Sequence, residues 1–145
     1  MSRKRVFSLS LLILSFAALT TLPLTNAQTL TWATVTSPTN KQLSSASCVS
    51  SGDCWAVGSS GVIIQWTGSS WATITSPDYF DLYSMFCVSS GNCWAVGVMG
   101  KIIQVSGSSW VSVTSPTGND LSSVSCASSS ACWAVGESGT TIQGT

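Results

Sequence analysis

Cys54-Trp55-Ala56-Val57-Gly58 recurs without a change as Cys93-Trp94-Ala95-Val96-Gly97 and as Cys132-Trp133-Ala134-Val135-Gly136, each copy 39 residues after the last. The same spacing holds on both sides of these pentapeptides. Upstream lie Cys48, Cys87 and Cys126, then Leu43, Leu82 and Leu121, the Thr-Ser-Pro triplets ending at Pro38, Pro77 and Pro116, and Trp32, Trp71 and Trp110. Downstream come Gly61, Gly100 and Gly139, then Gln65, Gln104 and Gln143, and no gap is needed anywhere. One unit is therefore used three times, over about 28–66, 67–105 and 106–145. A period near 40 with several short strands per unit marks propeller blades or a solenoid, whose units bury their faces against one another.

The middle copy shows the strands best. Trp71 to Thr75 alternates bulky and small residues and stops at Ser76-Pro77. Leu82 to Val88, Cys93 to Val96 and Lys101 to Val105 are three further β-like runs. Ser89-Ser90-Gly91-Asn92, Val98-Met99-Gly100 and Ser106-Gly107-Ser108-Ser109 supply turn chemistry between them. No stretch after residue 27 keeps a 3.6-residue apolar period, so essentially no helix is expected there. Four short antiparallel strands per unit describe a propeller blade. The expected fold is all-β: three four-stranded antiparallel propeller-like blades, a partial or oligomer-completed β-propeller. The chain opens on a Trp-headed strand at Trp32 and has none after Gln143, a phase by which closed propellers let a first strand complete the last blade. Propellers typically have about 4–8 blades. Three would leave edges and Trp-rich faces uncovered, so self-association through blade edges is expected.

Residues 1–27 read as a secretory signal peptide: Arg3-Lys4-Arg5, an apolar run from Leu9 to Leu19, and small residues at Thr25-Asn26-Ala27. The alternative is an uncleaved anchor, for which the uninterrupted apolar run falls short of the roughly 20 residues a span needs. No cysteine follows the cut as it does in a bacterial lipoprotein. The location expected is secreted, cell-surface or periplasmic, with no membrane contact once the signal is cleaved. Beyond it, Lys41 and Lys101 face Asp53, Asp78, Asp81, Asp120 and Glu137, a formal net of −3. Two cations give no electrostatic footprint for nucleic acid or anionic lipid.

The repeats resemble those of secreted bacterial β-propeller proteins built on Cys-Trp-Ala-Val-Gly units. They are similar, more distantly, to photosystem II assembly-factor-like propellers and to Asp-box (BNR, sialidase-type) repeats. Besides the pentapeptides, the Gly-Ser-Ser-Trp turns at 68–71 and 107–110 carry the resemblance. These turns look like the Gly-x-Thr-Trp end of an Asp-box without its acidic residue. The resemblance covers residues 28–145 and implies binding or scaffolding more often than catalysis, and fold alone does not fix function.

Six cysteines in an exported chain suggest three disulfides. Each Cys-x5-Cys pair ends one strand and opens the next, and facing positions of a hairpin suit disulfide geometry. Equivalent environments favour Cys48–Cys54, Cys87–Cys93 and Cys126–Cys132. Zinc patterns do not match five-residue spacers without histidine, so no metal or other cofactor is expected. Cys-x-x-Cys redox motifs are absent.

Six of the seven tryptophans recur at equivalent positions, which suits blade packing, or alternatively a ring of sugar-stacking platforms. Trp66 differs, since Val105 and Gly144 stand at its equivalents. Asp78-Tyr79-Phe80-Asp81 replaces Thr39-Asn40-Lys41-Gln42 and Thr117-Gly118-Asn119-Asp120 with two aromatics between carboxylates. Trp66 and Asp78, Tyr79, Phe80 and Asp81 are thus the candidate ligand-binding residues, for a glycan or protein ligand. The bland alternative is loop drift, the aromatics covering a neighbouring blade. No catalytic residue is expected. The sequence has no histidine for a Ser-His or Cys-His arrangement and no arginine after Arg5 for sialidase chemistry. Asp78 and Asp81 are the only close carboxylate pair. The expected function is an exported, non-catalytic binding or interaction module, with a lectin-like repeat protein as the alternative and a glycoside-acting enzyme behind both.

Overall fold

A computed structural model describes residues 29–145; the candidate signal peptide over 1–27 lies outside the described residues. Among the described residues eleven strands make three antiparallel sheets, one per blade. Blade 1 holds β1 (Leu43–Ser50), β2 (Asp53–Gly58), β3 (Ile63–Trp66) and β4 (Trp71–Ile74). Blade 2 holds β5 (Leu82–Ser89), β6 (Asn92–Gly97), β7 (Ile102–Ser106) and β8 (Ser109–Val113). Blade 3 holds only β9 (Leu121–Ser128), β10 (Ala131–Gly136) and β11 (Thr141–Gly144). No α-helix occurs among the described residues; the turns after β2, β6 and β10 are single 3₁₀ turns.

One expectation needs correction: Trp32 to Val35 forms no strand. Blade 3 has three strands, and the absent fourth is the Trp-headed strand for which the sequence has no segment after Gln143. Both follow from how a blade is completed. The outermost strand of blade 1, β4, comes from the next repeat's Trp71 segment, and that of blade 2, β8, from the Trp110 segment. A Trp-headed strand therefore pairs with the Ile-Ile-Gln strand before it. Among the described residues no Ile-Ile-Gln strand precedes Trp32 and no Trp-headed segment follows Gly144.

Alternation of side chains across each strand gives every blade two apolar faces. Trp55 pairs in register with Gln65, and Val57 with Ile63, so these lie on the face that meets blade 2. From blade 2, Leu82, Met85, Cys93, Ile103, Val105 and Trp110 complete that junction. One blade further, Val96 and Ile102 meet Leu121, Val124 and Ala134, with Phe86, Trp94 and Ile142 packed around them. The core is thus a pair of seams between blades. Fully burying one leucine or isoleucine there stabilises by about 2 kcal/mol.

Polar contacts repeat at the seams in the same register. Ser45 and Ser84 Oγ accept from the backbone N–H of Met85 and Val124, each 3.2 Å, and Ser47 Oγ accepts from Cys87 at 3.0 Å. Ser60 and Met99 sit at φ 56° and 54°, in the left-handed region that side chains avoid. Their N–H groups donate to the Asp81 and Asp120 carboxylates of the following blade at 2.6 and 2.7 Å. Gly61 and Gly100 come next, also at positive φ. A Cβ on either would strike the carbonyl oxygen of Asp78 or Thr117, where the connection to the next blade crosses. Within each blade, Cys48 faces Cys54, Cys87 faces Cys93 and Cys126 faces Cys132, and these are the three disulfides.

Candidate functional site

The structure places the five sequence-predicted residues at two separate ends of blade 1. Trp66 closes β3 and lies beside Trp71, ring centroids 5.8 Å apart, on the face turned away from blade 2. The 78–81 loop leaves the opposite end: the Asp78 carbonyl lies over Gly61, just before β3 begins. The fold therefore does not bring Trp66 to that loop.

Within the loop, Asp78 accepts from Lys101 Nζ at 2.9 Å, Ser112 Oγ at 3.1 Å and the Phe80 N–H at 3.2 Å. Burial pushes its carboxyl up. The Lys101 ammonium and the Phe80 and Ser112 hydrogen bonds outweigh that and hold it below the usual carboxylate range. Lys101 also lies over the Phe80 ring, 4.8 Å from its centroid. Thr39 and Thr117, at the positions equivalent to Asp78, accept from N–H groups two residues on in the same way. Asp78 is thus a turn-former that has gained an ion pair, and Asp81 holds the Ser60 turn. Tyr79 stands exposed. Tyr83 donates to Asp120 at 3.3 Å; burial and that carboxylate raise its phenol.

Sequence reasoning assigned the recurrent tryptophans to packing, and Trp55 and Trp110 do pack, edge to face at 5.6 Å across the first seam. Their indole N–H groups were not foreseen. Trp55 is 7% and Trp110 5% exposed, yet neither Nε1 has a hydrogen-bond partner in the protein. A buried donor left unpaired costs about 1–3 kcal/mol. Both indoles line a cleft of about 220 Å³ with Gln65, Ser90, Val105 and the Gly107-Ser108-Ser109 turn. A groove of about 450 Å³ adjoins it, sharing Ser108, Ser109 and Trp110 and running along Thr73 to Pro77. One wall of that groove is β4, the outermost strand of blade 1, whose second edge carries no ladder. The site thus offers serine and threonine hydroxyls and an open strand edge beside two buried indoles. Only the third-repeat equivalence of Trp110 to Trp32 and Trp71 pointed to it in sequence, and that signal reads as packing.

Among the described residues no group of three or more His, Cys, Asp or Glu could hold a metal ion, and no helix is long and apolar enough to cross a membrane.

No family model matches the chain, and no curated protein matches it. Among solved structures it is similar to that of YCF48 bound to D1 peptide, with a TM-score of 0.63 at 15% identity. The match covers 74% of this chain and 38% of that one, so it spans well under half of that chain. The likeness shows the fold: the blades are those of a β-propeller.

Proposed function

We propose that this protein is an exported, non-catalytic binding module that takes an extended peptide segment in the groove between blades 1 and 2. The observation that carries this reading is the open groove beside Trp110, lined by serine and threonine and walled by the unpaired edge of β4. The free edge of β4 would supply main-chain hydrogen bonds in the manner of strand addition, and the groove hydroxyls would add side-chain ones. The solved structure of YCF48 holds a D1 peptide, which supports a protein ligand for this fold without identifying one here. Three disulfides and an N-terminal segment that reads as a secretory signal support export to an oxidising compartment. Carboxylates engaged as turn and ion-pair acceptors support a non-catalytic role. A carbohydrate ligand is the second reading. It is less favoured at the groove because Trp55 and Trp110 pack edge to face and are both buried, which leaves no free indole face. Self-association belongs to the same proposal, since each end of the blade row exposes residues that the seams bury elsewhere.

The test is selection of a phage-displayed random dodecapeptide library on the purified protein, beside a glycan array. Enriched peptides should lose affinity about fivefold or more on Trp110→Phe, which keeps an aromatic side chain and cuts back the wall that the cleft and the groove share. Peptides bound equally by that variant place the site elsewhere. Glycan binding without peptide enrichment would favour the carbohydrate reading.

A further inference from the structure

Resting on that reading of self-association, the repeat specifies the geometry of the contact. We propose that two copies join head to tail, blade 1 of one docking on blade 3 of the other through the contacts that already join successive blades within the chain.

Each partner in the two internal seams has an unmatched equivalent at an end of the row. On the leading face, Leu82 and Leu121 are 0% exposed, whereas Leu43 is 39%. On the trailing face, Val57 and Val96 are 0% and 1% exposed, whereas Val135 is 45%. Trp133, the equivalent of Trp55, is exposed, and Trp71, the equivalent of Trp110, lies beside Trp66 on blade 1's open face. The Trp55–Trp110 pair therefore has both halves of a further copy waiting on opposite ends.

The polar groups follow. Ser123 and Ser125 of blade 3 correspond to Ser45 and Ser47, which accept from Met85 and Cys87 across the first seam. Ala46 and Cys48 stand at the donor positions of blade 1. Ser138 holds the left-handed turn at φ 53° like Ser60 and Met99, with no carboxylate from a following blade on its N–H. Gln42, in line with Asp81 and Asp120, offers an amide oxygen for it. Gly139 keeps φ 72°, but a Cβ there would meet nothing within 4 Å, whereas Gly61 and Gly100 are covered by the incoming connection. Blade 3 thus retains the seat for a connection equivalent to residues 39–42.

The occupant is fixed by β11 as well. Its outer edge lacks the Trp-headed strand that completes blades 1 and 2, and Trp32 to Val35 is a Trp-headed segment that forms no strand. Trp110 on β8 packs on Trp55; by the same step the incoming Trp32 would pack on Trp94. Beside Trp94 are two adjoining slots of about 50 and 90 Å³, bounded by Cys132 and Gly144. A second copy therefore brings an indole to the slot, a strand to the edge and a leucine to Val135. Two copies give six blades, inside the range of about 4–8 in which propellers close.

Light scattering on the purified protein at micromolar concentration should give twice the chain mass. Leu43→Asp and Val135→Asp each place a carboxylate at both junctions, and each alone should weaken the dimer about a hundredfold or more. Both sites are already solvated in the single chain, so disulfides and far-UV spectra should be unchanged. Mixing the two variants should restore a dimer, because one junction then joins two unmodified faces. Trp32→Ala should weaken the dimer and leave the fold intact. A wild-type monomer at about 100 μM overturns self-association itself. A dimer indifferent to both aspartates, or variants that fail to complement, overturns only the head-to-tail pairing. A dimer formed only when another protein is added would assign the end faces to a different partner and also overturns it.

Discussion

Leu43, Leu82 and Leu121 occupy one position in three successive repeats, so the same substitution at each isolates what a seam contributes. Leu82 and Leu121 are fully buried between blades, at Leu82 among Trp55, Val57 and Met85. Truncation to alanine there removes about 2 kcal/mol of transfer free energy and leaves a cavity, for a total of about 3 kcal/mol. Leu43, more than a third exposed, recovers part of that loss from water on one side, and its cost should be below about 1.5 kcal/mol. The assay is urea unfolding followed by tryptophan fluorescence, with disulfides intact and protein dilute enough to be monomeric. Midpoints should shift in the order Leu82 and Leu121 far beyond Leu43, at unchanged m. Equal shifts at all three positions would refute the argument that interblade seams, and not the individual sheets, hold the core.

Two further predictions use single positions. Gly100→Ala should destabilise by more than about 2 kcal/mol, since it adds an atom at positive φ against the Thr117 carbonyl, while in the monomer Gly139→Ala meets open space and should cost only the conformational penalty of about 1 kcal/mol; thermal melts of the two variants, dilute enough to be monomeric, compare them directly. Asp78 has a native pKa below its ordinary 3.8, so its contribution is fully present above pH 3.8 and is lost as pH falls through the native value. Asp78→Asn should therefore flatten the acid limb of stability between about pH 5 and 2 and leave the neutral-to-alkaline limb in shape, as read from urea midpoints across pH.

The fold was legible because the repeat is free of gaps. Three copies of Cys-Trp-Ala-Val-Gly fix the hairpin, and the cysteines six apart then face each other in β1–β2, β5–β6 and β9–β10. The short third sheet was implicit in the phase of Trp32, Trp71 and Trp110. The site was less legible. Asp78-Tyr79-Phe80-Asp81 looks like a ligand loop in sequence, yet Asp81 is aligned with Asp120 and both serve as acceptors for a left-handed turn one blade back. Asp78 keeps the turn-forming oxygen that Thr39 and Thr117 provide. The groove depends on side-chain orientation and on a strand edge left open, which no periodicity encodes. Trp55 and Trp110 recur for packing, and the same recurrence hides their second property.

Every disulfide closes within its own hairpin, six residues from cysteine to cysteine. Oxidation can therefore finish locally, before any blade has found its neighbour, and a correct set of bridges carries no information about blade order. Adjacency rests on apolar seams, a few serine and aspartate hydrogen bonds, and the peptide chain through the 75–81 and 114–120 connections. A protease cut in either connection would leave fully oxidised pieces with no covalent tether, held together only by the seam between them.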